Sequence, residues 1–277
     1  MSELTATSQI RHAARALSCL DLTSLNLDDT PQRLDALCDR ALSPAPGIEL
    51  HPAAVCIYPA FVSQVRARLA GTGIAVAAVA NFPLGTSPVG QVVEEVEQAL
   101  ANGADEIDVV FPFRAYLAGD HLAAADLVHR IATVCHRGDH PASSPIRLPI
   151  RLKVILETGV LHDTDVIKAA AAVAVANGAD FLKTSTGKLE PAATPAAAEA
   201  LLEVIVAARR TDNSIGLKVA GGVKTVDEAA FYIELADHYL RPDTAEPGNF
   251  RFGASGLLND IVRVLGSSHD TQMSTEY

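Results

Sequence analysis

The sequence has no tryptophan, and lysine is scarce: six Lys stand against sixteen Arg, with no Lys before residue 153. No uncharged apolar run reaches 18 residues, which argues against a membrane-spanning helix. The opening stretch, MSELTATSQIRHAARALSCLDL, lacks a charged segment followed by an apolar one, so no secretory signal is expected. Cysteine is sparse as well. Cys19, Cys38, Cys56 and Cys135 form no CxxC pair, and free thiols in a reducing cytoplasm are the expectation. Cys56 lies in an apolar run and reads as a small buried hydrophobe. Net positive charge is missing: 33 acidic residues against 22 basic ones give -11, which argues against nucleic-acid binding. GxSxG, HExxH and GxxxxGK[ST] are all absent. Cys135, His136, Asp139 and His140 cluster, but incidental His on a surface loop is the better reading. Neither metal nor cofactor is expected.

What is present is a chain of 277 residues, 49% hydrophobic. A chain this long buries roughly three quarters of its unfolded surface and needs no staples. That hydrophobicity also excludes disorder.

Short β-branched runs alternate with Ala-rich stretches. Strands are expected at 17–22, 54–58, 74–80, 106–111, 151–157, 180–185, 216–220 and 250–254. Helices are expected near 29–42, 61–70, 90–101, 120–136, 163–176, 194–209, 226–238 and 256–265. Such alternation implies βαβ units and a parallel sheet. Eight units in this length match an α/β single-domain (β/α)8 TIM barrel spanning 1–277. A doubly wound open sheet would usually carry a Gly-rich fingerprint after its first strand, and DLTSLN has no glycine there. Residues 1–16 read as an extension with a short N-terminal helix, 137–150 as a surface loop, and 266–277 as a flexible C-terminal tail.

ANGAD occurs at 101–105 and again at 176–180. Each copy closes a helix and opens a strand, and three residues past its Asp comes a charge: Asp108 in the first, Lys183 in the second. The spacing places both inside the barrel near its C-terminal mouth. NGAD as a plain helix stop explains the repeat but not the two charges.

The lysines then become informative. Lys153, Lys183 and Lys218 lie in three successive strands; Lys188 and Lys224 lie in the turns that leave two of them. One such lysine reads as a stem packed in a strand with its amine in water. Three read as chemistry, because Lys, unlike Arg, can lose its proton and become a nucleophile. Converging amines disfavour each other's charge, so at least one should be neutral near pH 7 and able to form a Schiff base. Asp108 and Glu157 could hold the remaining cations or shuttle protons. Thr186-Gly187-Lys188, Gly221-Gly222 with Lys224, and Gly253 with Ser255 follow strands six, seven and eight. Barrels often bind phosphate there; tight turns are the plainer reading of any one of them.

These stretches resemble the deoxyribose-phosphate aldolase family of class I aldolases. The matching segments run from DLTSL (21–25) through VCIYPAFV, NFPLG, GADEIDVVFP, LKVILETG, GADFLKTSTGK and GLKVAGGVKT to RFGAS (251–255). The resemblance implies reversible, metal-free cleavage of 2-deoxy-D-ribose 5-phosphate to D-glyceraldehyde 3-phosphate and acetaldehyde. It implies Lys183 as the Schiff-base lysine, Lys218 as the lysine that lowers its pKa, and Asp108 in the proton relay. Asp21 and Thr23 match positions near the substrate hydroxyl, and Lys153 an inward-facing lysine. Thr186, Gly187, Lys188, Gly221, Gly222, Gly253 and Ser255 match the phosphate and substrate lining. Tyr277 matches a tail tyrosine that can assist proton transfer. Partners would be sugar phosphate and aldehyde substrates, with a possible homodimer. Two departures stand out: Val219 where many members have Pro, and Gly256 where many have a second Ser. The first is expected to loosen the turn that aims Lys218, the second to weaken phosphate binding modestly. A different Schiff-base lyase or isomerase on the same barrel, or a phosphometabolite-binding protein, is separated from the aldolase by turnover.

Overall fold

The structure is a computed structural model that describes residues 6–137, 150–208 and 215–273. Eight strands form a closed parallel barrel in sequence order: β1 (Leu20–Thr23), β2 (Ala54–Ile57), β3 (Ala75–Ala80), β4 (Glu106–Val110), β5 (Arg151–Ile155), β6 (Phe181–Lys183), β7 (Gly216–Ala220) and β8 (Phe250–Ala254). β8 closes on β1, pairing Leu20 with Phe252 and Asp21 with Gly253. Among the described residues the α-helices are α1 (Ala6–Ser18), α2 (Pro31–Leu42), α3 (Val62–Arg68), α4 (Val89–Ala101), α5 (Phe113–Leu117), α6 (His121–His136), α7 (Thr158–Leu161), α8 (Thr164–Ala176), α9 (Pro195–Ala208), α10 (Val226–Leu240) and α11 (Leu257–Met273).

The local chemistry explains these boundaries. Thr30 caps α2, with Pro31 in its first turn. Asp120 and Asp163 cap α6 and α8. Thr225 and Glu228 form a capping box on α10. The two NGAD segments are one device used twice. Gly103 and Gly178 both take φ of +100°, ending α4 and α8 in the left-handed region that favours glycine. Asp105 then accepts from the Val76 N–H at 2.8 Å, and Asp180 from the Leu152 N–H at 2.7 Å. Each aspartate fixes its own strand against the one before it. Asp108 and Lys183, three residues on, therefore share a height and a face.

The barrel surface is apolar in the ordinary way. Ile107, Val109, Leu152, Val154, Leu182, Leu217 and Val219 are buried in the main core shared with the helices. A second cluster of Leu25, Ala54, Cys56, Ala77 and Val79 fills the β2–β3 side. Much of the remaining interior is charged, with the Phe181 ring beside Arg251, unlike the branched apolar layers usual in such barrels.

One boundary expectation is corrected. Residues 17 and 18 belong to α1, which passes 16, and β1 starts at Leu20. The apolar run of 17–22 serves the last turn of a helix and then a strand, and burial alone does not mark the change. At the other end α11 runs on to Met273. A polar segment extends a helix that has already nucleated, because propagation adds one bond per residue. Tyr277 and the loop at 138–149 lie outside the described residues, as do Asp139 and His140 of the proposed His/Cys cluster. Among the described residues no three or more His, Cys, Asp or Glu side chains are placed so that they could hold a metal ion. No helix among them is long and apolar enough to cross a membrane.

Candidate active site

The charged residues of β1, β4, β5, β6, β7 and β8 meet in one buried cluster. Asp108 is its hub. Its Oδ1 accepts from Lys153 Nζ at 2.8 Å. Its Oδ2 accepts from both Lys183 Nζ and Lys218 Nζ at 2.7 Å. Lys153 also pairs with Glu106 at 2.5 Å and lies 3.5 Å from Asp21. Lys218 pairs with Asp21 at 2.5 Å. Arg251 closes the network, donating to Asp21 at 2.5 Å and to Glu106 at 2.8 and 3.2 Å. Lys153 and Lys218 have no exposed surface, and Lys183 has 2%.

The strand pairing builds this arrangement. Asp108 lies opposite Lys153 on β5, and Lys183 opposite Lys218 on β7. Room is left by small residues. A Cβ on Gly253 would sit 3.0 Å from the Lys218 side chain. A Cβ on Gly216 would strike the Phe181 ring at 2.4 Å. Val219, the departure from proline, is fully buried in β7 opposite Phe252. Two carboxylates, Asp21 and Asp108, hold the neighbouring Lys218.

Burial disfavours every charge in this cluster, and the partners decide which survive. Desolvation would raise the carboxyls, but the neighbouring cations hold Asp21, Glu106 and Asp108 below their ordinary values. The same carboxylates overcome desolvation at Lys153 and Lys218, whose pKa values rise. Lys183 goes the other way. Burial and the neighbouring Lys218 outweigh Asp108 and depress its pKa. It touches one carboxylate oxygen, and shares that oxygen with Lys218. A buried amine freed of its proton beside a protonated one can attack a carbonyl.

Glu157 is not part of the lysine cluster. It takes a left-handed φ of +55° before α7 and accepts from Thr186 Oγ1 at 2.5 Å. Burial raises its pKa, and it braces the β6 exit loop. Cys56 is buried as expected, with its sulfur 3.8 Å from Asp108. Thr23 donates to the Asp21 carbonyl oxygen at 2.8 Å. Glu106 and Arg251 were not singled out from sequence. The available signal was strand period two: Glu106 precedes Asp108 by two residues, and Arg251 stands in an otherwise apolar β8.

The glycine turns gather over β6, β7 and β8. Gly187 and Gly221 both have positive φ, and a Cβ on Gly221 would come within 3.2 Å of the Gly187 Cα. Exposed here are Gly187, Lys188, Gly222, Ser255 and Gly256. Lys188 Nζ donates to the Leu25 carbonyl, 2.6 Å away, tying this loop to the one after β1. The two nearby helix starts differ. Glu228 already accepts from the Lys224 and Thr225 N–H groups at α10. The Gly256 turn ahead of α11 is open, and a Cβ on Gly256 would meet nothing within 4 Å.

Fold and site together describe a class: barrel aldolases that work through a buried lysine. Residues 15–261 match the model of the DeoC/LacD family of aldolases. Deoxyribose-phosphate aldolase from Agrobacterium fabrum is 42% identical over 266 residues, 96% of each chain. A crystal structure from Toxoplasma gondii, carrying a provisional deoxyribose-phosphate aldolase name, superposes with a TM-score of 0.81 at 26% identity. It covers 96% of this chain and 98% of its own. A deoxyribose phosphate aldolase from Aeropyrum pernix, described as tetrameric, shares the fold at TM-score 0.70 and 21% identity, over 96% and 100%. The chain belongs to the DeoC/LacD aldolase family, and it is an aldolase, a carbon–carbon lyase.

Proposed function

We propose that the chain reversibly cleaves 2-deoxy-D-ribose 5-phosphate to D-glyceraldehyde 3-phosphate and acetaldehyde, with Lys183 as the nucleophile. One observation carries the assignment: Lys183 alone among the clustered cations has a depressed pKa, with Asp108 2.7 Å from its amine. The likeness to the Agrobacterium fabrum enzyme supports the substrate.

The open-chain sugar presents its aldehyde to the Lys183 amine. Addition and loss of water give a protonated imine, which serves as the electron sink. Asp108, acting directly or through a water, takes the proton from the C3 hydroxyl. The C2–C3 bond breaks, glyceraldehyde 3-phosphate leaves, and the electron pair rests in an enamine on Lys183. Lys218, held charged by Asp21 and Asp108, supplies the proton to the enamine carbon and regains it from water. Hydrolysis of the remaining imine frees acetaldehyde. The phosphate sits over Gly222, Gly253, Ser255 and Gly256, where small residues and the start of α11 suit an anion. Thr186, Gly187 and Lys188 line the same rim, and Gly221 spaces it. That remote binding orients the reacting end. Asp21 and Lys153 hold the lysine and aspartate in place, and Thr23 borders Asp21.

Borohydride reduction in the presence of substrate should leave an adduct on Lys183. Lys183→Ala should lose both adduct and turnover. An adduct mapped to another residue, or full cleavage by that variant, would overturn the assignment. Unphosphorylated deoxyribose should be a poorer substrate, with the loss mainly in kcat/KM. Four unpaired thiols fit a reducing compartment such as the cytoplasm. A homodimer belongs to this reading through the family resemblance, and a monomer in sedimentation velocity would remove it.

A further inference from the structure

We propose that Arg251 is a positioning residue that sets the protonation of Lys183, by adding a cation that cannot lose its proton to a cluster short of one carboxylate. This rests on Lys183 being the nucleophile. The argument is a count of buried charge. Three carboxylates, Asp21, Glu106 and Asp108, face four cations, Lys153, Lys183, Lys218 and Arg251. Without Arg251, three lysines would meet three carboxylates, and every amine could keep its proton. With it, one cation is in excess. A guanidinium does not deprotonate in proteins, so the proton must leave an amine.

The contacts select which amine. Lys153 lies within 3.5 Å of three carboxylates. Lys218 touches two, Asp21 and Asp108. Arg251 touches two as well, and a third bond from Nε to the Pro247 carbonyl at 2.6 Å fixes its plane. Lys183 touches one, and shares it. Lys183 is the least compensated cation and sheds the proton. Arg251 thus acts through Asp21 and Glu106, which it draws away from the amines.

Among the described residues no other carboxylate forms an ion pair with these four cations. Cys19, ahead of β1, is a thiol pushed up to about 12 by burial, and it stays neutral. Cys56 on β2 is likewise raised by burial. β3 offers Ala77 and Val79. Arg151 on β5 lies 3.5 Å from Glu106 but is 40% exposed, so solvent screens a cation that would only add to the excess. Glu157, after β5, feels the Lys183 charge but makes no ion pair with it, its carboxylate being bonded to Thr186 instead.

The test is the pH dependence of acetaldehyde imine formation, trapped with borohydride and quantified on the Lys183 peptide. Arg251→Gln should move the midpoint up by about one to two pH units, lowering trapping at pH values below the wild-type midpoint by roughly 10- to 100-fold. Arg251→Gln with Glu106→Gln restores one excess cation and should bring the midpoint back. Glu106→Gln alone deepens the excess and should lower it. A structural Arg251 would give weaker trapping at an unmoved midpoint, with the double variant no better, and that result overturns the proposal. If neither Arg251 variant folds, Glu106→Gln decides: a lowered midpoint supports the count and an unmoved one refutes it. An adduct elsewhere in the wild type would refute the Lys183 assignment itself; an adduct on Lys183 with unmoved midpoints refutes only the role of Arg251.

Discussion

Lys218→Met removes the ammonium nearest the Lys183 amine. Both amines bond the same Asp108 oxygen at 2.7 Å, which holds them no more than about 5.4 Å apart. At an effective dielectric of ~20, two unit charges at that distance repel by about 3 kcal/mol, or roughly two pKa units. Neither side chain is more than 3% exposed, so solvent screens little of this. The sign follows directly. Neutral Lys183 is the active form, and activity rises with pH through its pKa. Taking away the repelling charge raises that pKa, so the rising limb should move about two units toward alkaline pH. At pH values below the wild-type midpoint the neutral fraction should then fall by roughly 100-fold. Cleavage of deoxyribose 5-phosphate from pH 5 to 10 measures the limb, and circular dichroism checks folding. Asp21 keeps its Arg251 partner at 2.5 Å, so the carboxylate is not stranded. Loss of Lys218 as proton donor would lower the plateau without moving the limb, so the two effects separate. A folded variant with the wild-type limb would refute the reasoning.

Three further outcomes follow from packing and charge. A Cβ on Gly159 would lie 1.7 Å from the Pro191 carbonyl oxygen. Gly159→Ala should therefore cost ~3 kcal/mol or more and lower Tm in calorimetry, and an unchanged Tm would contradict the packing. All four cysteines are buried with raised pKa values, Cys38 to about 11 and Cys19 to about 12. Native protein at pH 8 should react with a disulfide reagent far more slowly than unfolded protein, and rapid labelling of all four would count against it. Asp21, Glu106 and Asp108 have depressed folded pKa values, held down by their cationic partners. Their contribution to stability is present above about pH 4 and is lost as pH falls through the folded values, so denaturant midpoints should drop in acid. A midpoint flat down to pH 2 would deny the pairing.

Much of this was legible in the sequence. Eight alternating units gave the barrel, because hydrophobic period and turn chemistry act locally. Seven of the eight strands lie where those patterns put them. The NGAD repeat placed Asp108 and Lys183 together, and the structure shows why: a left-handed glycine and a strand-bracing aspartate set the same register twice. Lysine scarcity marked the three amines now found within one hydrogen-bonded cluster. A local pattern could not separate α1 from β1 at 17–20, where helix end and strand start are equally apolar. Glu157 looked equivalent to the other strand carboxylates, yet a single left-handed residue turns it toward Thr186 instead of the lysines.

The sequence by itself determined which side chains point into the barrel, since strand alternation and register are short-range properties. It also limited the interior cations to residues that stand in strands. Only the tertiary structure decided their partners. Closure of β8 on β1 joins Arg251 to Asp21 across 230 positions, and Lys218 reaches the same aspartate across 197. Which lysine loses its proton depends on the total charge of that closed cluster, a sum over six strands that no segment of the chain contains.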